Sequence, residues 1–428
     1  MDDRLNEMKL SATLLNNDTS NNNKNDIEPV IKLGFGGSPF LPPSFFTDYI
    51  CKYVHRNEYS EVQGLSSLRE LISQMYTFKY NYFYSPENVI IGPGTKQLMF
   101  ILLKILLPEI NILLPTPAWV TYYGQCQLLD KKVVQIKTTK KGNWKLTPEL
   151  IERSIINNSS NNHLPFQNVL ILTNPDNPTG SLYTSQELFE LGETIRKTNT
   201  IVLLDEIYAD VTYIDKKFVS LAEFIPNRCI ISSGLSKSLA CGGYRLGYFI
   251  IPSDITNIMH GMSVVASETH SCIPACLQLA WHDSLKYHQN DIKEYQFKCN
   301  KILSALGIYC YNLFKSRNID CTEPCSAWYL FLDFQYYTQK LNDNGIFTSE
   351  DLCKMILKET NVSILMGDPF LPSSDETLFY ARICLVDFDG EKAYHGIPEG
   401  NIDEAWLKKY CRKTIEGVER ICDYMQLI

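Results

Sequence analysis

At 428 residues, with 45% hydrophobic and 21% charged residues, the chain can bury a sizeable core and is long for one ordinary domain. A formal net charge of −8, with no compensating basic run, argues against a general role on nucleic acid. No apolar run is long enough to span a bilayer, so no membrane partner is expected.

The fourteen cysteines are scattered, and the N-terminus MDDRLNEMKL lacks the apolar core of a secretory signal. Reduced thiols in a cytoplasmic protein are therefore expected. Cys321 and Cys325 lack matching Cys or His pairs, so no metal site is expected.

In chain order, residues 16–25 (NNDTSNNNKN) are polar and Asn-rich, which predicts a disordered or loose arm over 1–28. Residues 31–43 (IKLGFGGSPFLPP) are extended and punctuated by Gly and Pro. They read either as plain turns or as backbone able to approach a ligand closely. Gly64 marks a turn before a helix with Leu68, Leu71 and Ile72 on one face.

A strand at 88–91 then passes through GPGT into a strongly apolar helix. The free backbone N–H groups of Thr95 and Lys96 at that helix start suit an anion. The glycine spacing matches neither the Walker loop nor the dinucleotide fingerprint. A strand at 110–114 ends in PTPAWVTY, which holds Trp119 near the strand end, as core or as a flat platform for a ligand.

Residues 157–162 (NNSSNN) read as a loop insertion. A strand at 169–172 runs into TNPDNPTG, where two prolines flank Asn177 and leave its carboxamide as a positioned donor. The apolar strand 201–204 has the character of one buried on both faces of a parallel sheet. It ends in Asp205-Glu206-Ile207-Tyr208, where the acid is either a cap or a ligand. One more strand, 228–232, precedes Ser236, Lys237 and Arg245. A lysine among small and apolar residues at a cleft edge loses proton affinity by desolvation, which suits a Schiff-base nucleophile. The plain alternative is a surface lysine.

In a mostly parallel sheet, the carboxyl ends of these five strands lie on one side, over a crevice. The set that converges there is an anion-binding helix start, a flat aromatic, an amide, a carboxylate with a phenol, and a lysine with an arginine. Together these suit one ligand, pyridoxal 5'-phosphate.

From about residue 29 onward the chain resembles the fold-type I pyridoxal-phosphate enzymes of the class I/II aminotransferase family. GPGTKQ, PTPAWVTY, NPDNPTG, LLDEIY and SGLSKSLACGGYRLGY carry the resemblance, in the family's order. It implies an α/β fold of the aspartate-aminotransferase type. A large domain (51–299) would hold a mostly parallel seven-stranded sheet flanked by helices. A smaller α+β domain would combine the N-terminal segment 29–50 with residues 300–428.

The resemblance also implies roles. Lys237 would form the Schiff base and shuttle the proton, Asp205 would pair with the ring nitrogen, and Asn177 and Tyr208 would bond the ring hydroxyl. Trp119 would stack on the ring. Thr95 and Lys96 (through their backbone), Ser236 and Arg245 would hold the phosphate, and Tyr59 would reach the site of a partner subunit in a homodimer with shared active sites. Arg382, in LFYARICLVDFDG, would grip the substrate carboxylate, with the backbone of Gly37 nearby.

The implied reaction exchanges an amino group between an L-amino acid and a 2-oxo acid through Schiff-base and pyridoxamine intermediates. A lyase or cyclopropane-forming synthase of the same fold shares the cofactor shell and is the alternative. A non-catalytic scaffold would be expected to have lost Lys237, Asp205 or Arg245, all of which are present.

Three places depart from the family or stay open. Gly234 stands three residues before Lys237, where some relatives use Ser. SAWYLFLDF puts Trp328 in an unusual position. Glu268 and His270, in SETHSCIPA, face either a neighbouring active site or solvent.

Overall fold

A computed structural model describes residues 8, 10–11, 29–156, 165–371 and 378–428. The Asn-rich stretches 16–25 and 157–162 lie outside the described residues. In chain order the strands are β1 (Ile31–Lys32), β2 (Val89–Gly92), β3 (Asn111–Thr116), β4 (Val133–Lys137), β5 (Asn168–Thr173) and β6 (Thr200–Asp205). They continue as β7 (Cys229–Gly234), β8 (Gly247–Ile250), β9 (Tyr329–Asp333), β10 (Val362–Ser363), β11 (Leu365–Met366) and β12 (Tyr380–Cys384).

Seven strands form one sheet in the order β2-β8-β7-β6-β5-β3-β4. All pair in parallel except β8, which is antiparallel to both β2 and β7. The central strands β5, β6 and β7 are buried along their whole length, as their short continuous apolar runs require. Alternation sorts their side chains into two cores. Leu170, Leu172, Val202, Leu204 and Ile231 join the cluster on one face. Val169, Ile171, Ile201, Leu203 and Ile230 join the cluster on the other.

The helix Thr95–Ile105 buries Leu98, Met99, Ile101, Leu102 and Leu103 in that second cluster. The chain winds outward from β3 to β4 and then returns inward through β5, β6 and β7. The direction of winding therefore reverses between β3 and β5. An open α/β sheet leaves its ligand crevice at the strand carboxyl ends beside such a reversal.

Two strands of this sheet carry no clear pattern in the sequence. β4 is a half-exposed edge strand, and β8 follows directly on the glycine-bearing stretch GGYRLG. The C-terminal third forms a three-stranded antiparallel sheet, β11-β12-β9. The N-terminal segment is tied to it. β1 pairs in parallel with β10, Leu33 N–H donates to Ser363 O, and Cys384 N–H donates to Leu33 O. A 28-residue helix, Gln289–Ser316, runs across the expected domain boundary at 299/300. Among the described residues, no helix is long and apolar enough to cross a membrane.

Candidate active site

Four adjacent strand ends deliver the site. Lys237 sits on the short helix Leu235–Ser238 that starts where β7 stops. Its Nζ donates to Gly36 O at 2.6 Å. Burial pushes the amine down to about 8; Arg382 and Arg245 act in the same direction, while Cys384 and Asp205 oppose them.

Asp205 is the last residue of β6 and only 2% exposed. Its Oδ2 accepts from Tyr122 Oη at 2.7 Å, and that phenol also pairs with Thr173 Oγ1 at 2.7 Å. Burial raises Asp205 to about 6, against the bonds from Tyr122, the Ile207 N–H and Ser232 and the charge of Lys237. A buried carboxyl balanced in this way is ready for a cationic partner.

The helix start expected to bind an anion is shaped by glycines. Gly94 has φ +81°, and a Cβ there would collide with the Arg245 guanidinium. A Cβ on Gly247 would lie 2.6 Å from Thr95 N. Both absences leave the start of the helix Thr95–Ile105 open to an anion, with Arg245 beside it and Ser236 next to Lys237. Trp119 precedes the helix Val120–Leu128 and meets Tyr122 edge-on at 5.4 Å. The Nζ of Lys96 lies 4.9 Å from the Trp119 ring centroid. Lys96 is thus present with its side chain as well as its backbone.

The opposite wall comes from the other end of the chain. Arg382 lies in the middle strand β12, between Phe331 of β9 and Leu365 of β11, and is 1% exposed. This is a central strand, not an edge. Its Nη1 donates to Asn177 Oδ1 at 3.0 Å and its Nη2 to Gly34 O at 2.8 Å. Asn177 therefore serves here as an acceptor, where its loop predicted a donor. The guanidinium also stacks over Tyr329 at 4.8 Å and Phe370 at 5.1 Å. Tyr208 and Tyr329 share a hydroxyl–hydroxyl bond of 2.6 Å.

Some expected residues are placed differently. Gly34 and Gly36, not Gly37, reach Arg382 and Lys237, because the Gly37 N–H is turned back onto Phe35 O. Tyr59 is 90% exposed and this chain does not bring it to the site. Glu268 is exposed near the end of the helix Ile258–Thr269. His270 follows that helix half-buried, with burial lowering its proton affinity.

Sequence reasoning missed Tyr122, Tyr329 and the carbonyls of Gly34 and Gly36. Only Tyr122 left a signal. It stands three residues after Trp119 at a helix start, a spacing that puts both on one side.

The sequence model of the family described as aminotransferase class I and II matches residues 48–387. The chain belongs to this family. It is 29% identical over 377 residues to the aspartate aminotransferase of Geobacillus stearothermophilus, covering 87% of this chain and 92% of that one. It is 25% identical over 389 residues to the asparagine–oxo-acid transaminase of Streptococcus mutans, covering 88% and 94%. Among solved structures, the aspartate aminotransferase of Thermus thermophilus with maleate superimposes with a TM-score of 0.81 at 18% identity, covering 100% of this chain and 99% of that one. That likeness is one of fold.

As a class I and II aminotransferase, the chain is a pyridoxal-phosphate-dependent enzyme that transfers amino groups between amino acids and 2-oxo acids. The residues fit that cofactor. An amine whose proton affinity burial lowers, a buried carboxyl that among the described residues has no ion-pair partner, and an anion cradle that two Cβ atoms would fill stand at neighbouring strand ends.

Proposed function

We propose that the strand-end cluster around Lys237 is the aminotransferase active site and that it favours a short acidic amino donor or its amide. The observation that carries the first part is the placement of a buried amine just after β7 and a buried carboxyl at the end of β6, beside the open helix start at Thr95. When bound, pyridoxal phosphate supplies a carbonyl that condenses with amines and a cationic ring that stabilises negative charge at the substrate Cα.

The chain's own groups do the rest. Lys237 would offer the amine that anchors the cofactor and, when free, would serve as the base and acid that moves the substrate Cα proton. Its depressed proton affinity lets it act as a base near neutral pH. Asp205, held by Tyr122, would pair with the cofactor's ring nitrogen and favour its protonated form. Asn177 and Tyr208 would bond the ring hydroxyl, and Trp119 would provide an aromatic platform for the ring.

Arg245, Ser236 and the backbone N–H groups of Thr95 and Lys96 would hold the phosphate, the guanidinium through charge-assisted bonds. Arg382 takes the substrate α-carboxylate with two parallel bonds. To do so it gives up Gly34 O and Asn177 Oδ1, groups that already mark both of its donor positions.

Substrate choice is supported by relatives named for aspartate and asparagine and by Lys96. Among the described residues Lys96 has no ion-pair partner. Its ammonium lies over Trp119, where burial and then Arg245 lower its proton affinity. A carboxylate at the far end of a substrate would relieve both effects.

The exposed Tyr59 supports a homodimer in which each copy completes the other's phosphate site. Fourteen unpaired cysteines support a reducing, cytoplasmic setting. The division into 51–299 and a smaller unit of 29–50 with 300–428 is supported by the separate sheets and by the pairing of β1 with β10.

The test is an absorbance titration of purified protein with single amino acids and no oxo acid. Replacement of the visible cofactor band by a near-ultraviolet one, strongest with aspartate, is expected. Release of ammonia or sulfide with the visible band restored would instead establish a lyase.

A further inference from the structure

Trp328 is the residue of the sequence pattern that the site as described leaves without a task. It is 1% exposed and among the largest fully buried side chains. The Nζ of Lys237 lies 5.2 Å from its ring centroid, and the Tyr208 ring meets it edge-on at 5.9 Å and 85°. Its backbone is pinned, since Leu385 N–H donates to Trp328 O at 2.8 Å and the preceding Ala327 N–H donates to Val211 O at 2.6 Å. Its indole N–H makes no hydrogen bond of good geometry among the described residues, but it lies close enough to Tyr329 to favour the ionised form of that phenol. A buried indole whose N–H is at most loosely engaged with Tyr329, and whose ring lies 5.2 Å from an ammonium, is placed for its ring as well as for its N–H.

The surroundings of Lys237 explain what such a ring adds. Among the described residues, Gly36 O alone accepts a hydrogen bond from its amine. Arg382 and Arg245 repel an ammonium there, Asp205 and Cys384 attract it, and the second ring in reach is Tyr208, at 5.7 Å. No carboxylate bonds it directly.

We propose that Trp328 is a positioning residue for Lys237: the indole ring holds the ε-ammonium between Tyr208 and Gly36 O whenever the lysine is not bonded to the cofactor. The ring thereby gives the displaced amine a fixed resting place from which it can return to the same cofactor atom. It also favours the charged form against burial, so the ring sets part of the proton affinity of Lys237. The inference rests on the reading of Lys237 as the cofactor lysine.

The experiment replaces Trp328, at that position alone, with tryptophans carrying one, two and four fluorines. These keep the indole shape while progressively weakening the charge on its face. In full-length protein freed of cofactor, the pH dependence of Lys237 acylation is followed by mass spectrometry. The midpoint, expected near 8 with ordinary tryptophan because burial lowers the amine's proton affinity, should fall stepwise with fluorine number, by a total of about one pH unit. A midpoint that stays put or rises across the series overturns the proposal.

Trp328→Phe, which keeps an aromatic ring with a weaker face, is expected to lower the midpoint in the same direction. A rise with Phe likewise counts against the proposal. Lys237→Ala separates the two readings. If that variant still binds the cofactor covalently, the reading of Lys237 fails. If covalent binding is lost while the fluorine series is flat, only the role of Trp328 fails.

Discussion

The two walls of the site are built by opposite means. On the side proposed for the cofactor, Asp205 ends β6 while Asn177 and Lys237 follow β5 and β7 within a few residues, so the backbone of one sheet aims all three. On the substrate side, Arg382 is aimed by its neighbours. Its partners are Asn177, 205 positions away in the chain, and Gly34, 348 positions away, with Tyr329 and Phe370 beneath it. The first wall is a local consequence of strand ends, and the second exists only once both ends of the chain have met. Substitutions on the first wall should therefore damage chemistry. Those on the second should damage substrate binding and the fit of the N-terminal segment.

The largest expected effect is that of Lys237→Ala, which removes both the anchor and the base. Turnover should fall by roughly 10²–10⁴ or more, with the visible cofactor band lost and the chain still folded. Normal turnover in this variant would break the comparison on the cofactor side. Next comes Arg382→Lys. A point charge replaces a bidentate fork, so KM for both amino acid and oxo acid should rise about 10–100-fold with a smaller change in kcat. A kcat loss with unchanged KM would move Arg382 to the other wall.

Tyr122→Phe should be milder. It deletes one hydrogen bond to a buried carboxylate, worth about 1.5–3 kcal/mol, and should weaken cofactor retention while leaving KM for the amino acid near its original value.

A stability measurement, which leaves turnover aside, sharpens the role of Asp205. Its folded proton affinity, about 6, lies above the ordinary 3.8. The folded chain therefore binds more protons than the unfolded one between these values. Without cofactor, stability should fall as pH rises from about 4 through about 6, by on the order of 3 kcal/mol. Bound cofactor should remove most of that fall. A chemical-denaturation series with and without cofactor, compared with Asp205→Asn, reads this directly.

The same contrast explains what could be read before the structure. Lys237, Asp205, Asn177 and Trp119 follow short apolar runs that can only be buried strands, so their place over a crevice followed from position alone. Edge strand β4 alternates weakly, and β8 is embedded in a glycine-bearing turn, so neither announced itself. Tyr329 and Trp328 gave no warning of their contacts with Tyr208 and Lys237, because those depend on how β9 seats against the large sheet. The choice of Gly34 and Gly36 over Gly37 is decided by a single turn, in which the Gly37 N–H folds back onto Phe35 O. Periodicity carries no information about such a turn.

The central claim is that the lysine at the end of β7 is the one that holds the cofactor. The direct measurement is borohydride reduction of the cofactor-loaded protein, followed by peptide mapping by mass spectrometry. The account predicts a single reduced cofactor adduct, on Lys237. An adduct on Lys96 or any other lysine, with Lys237 unmodified, would contradict it.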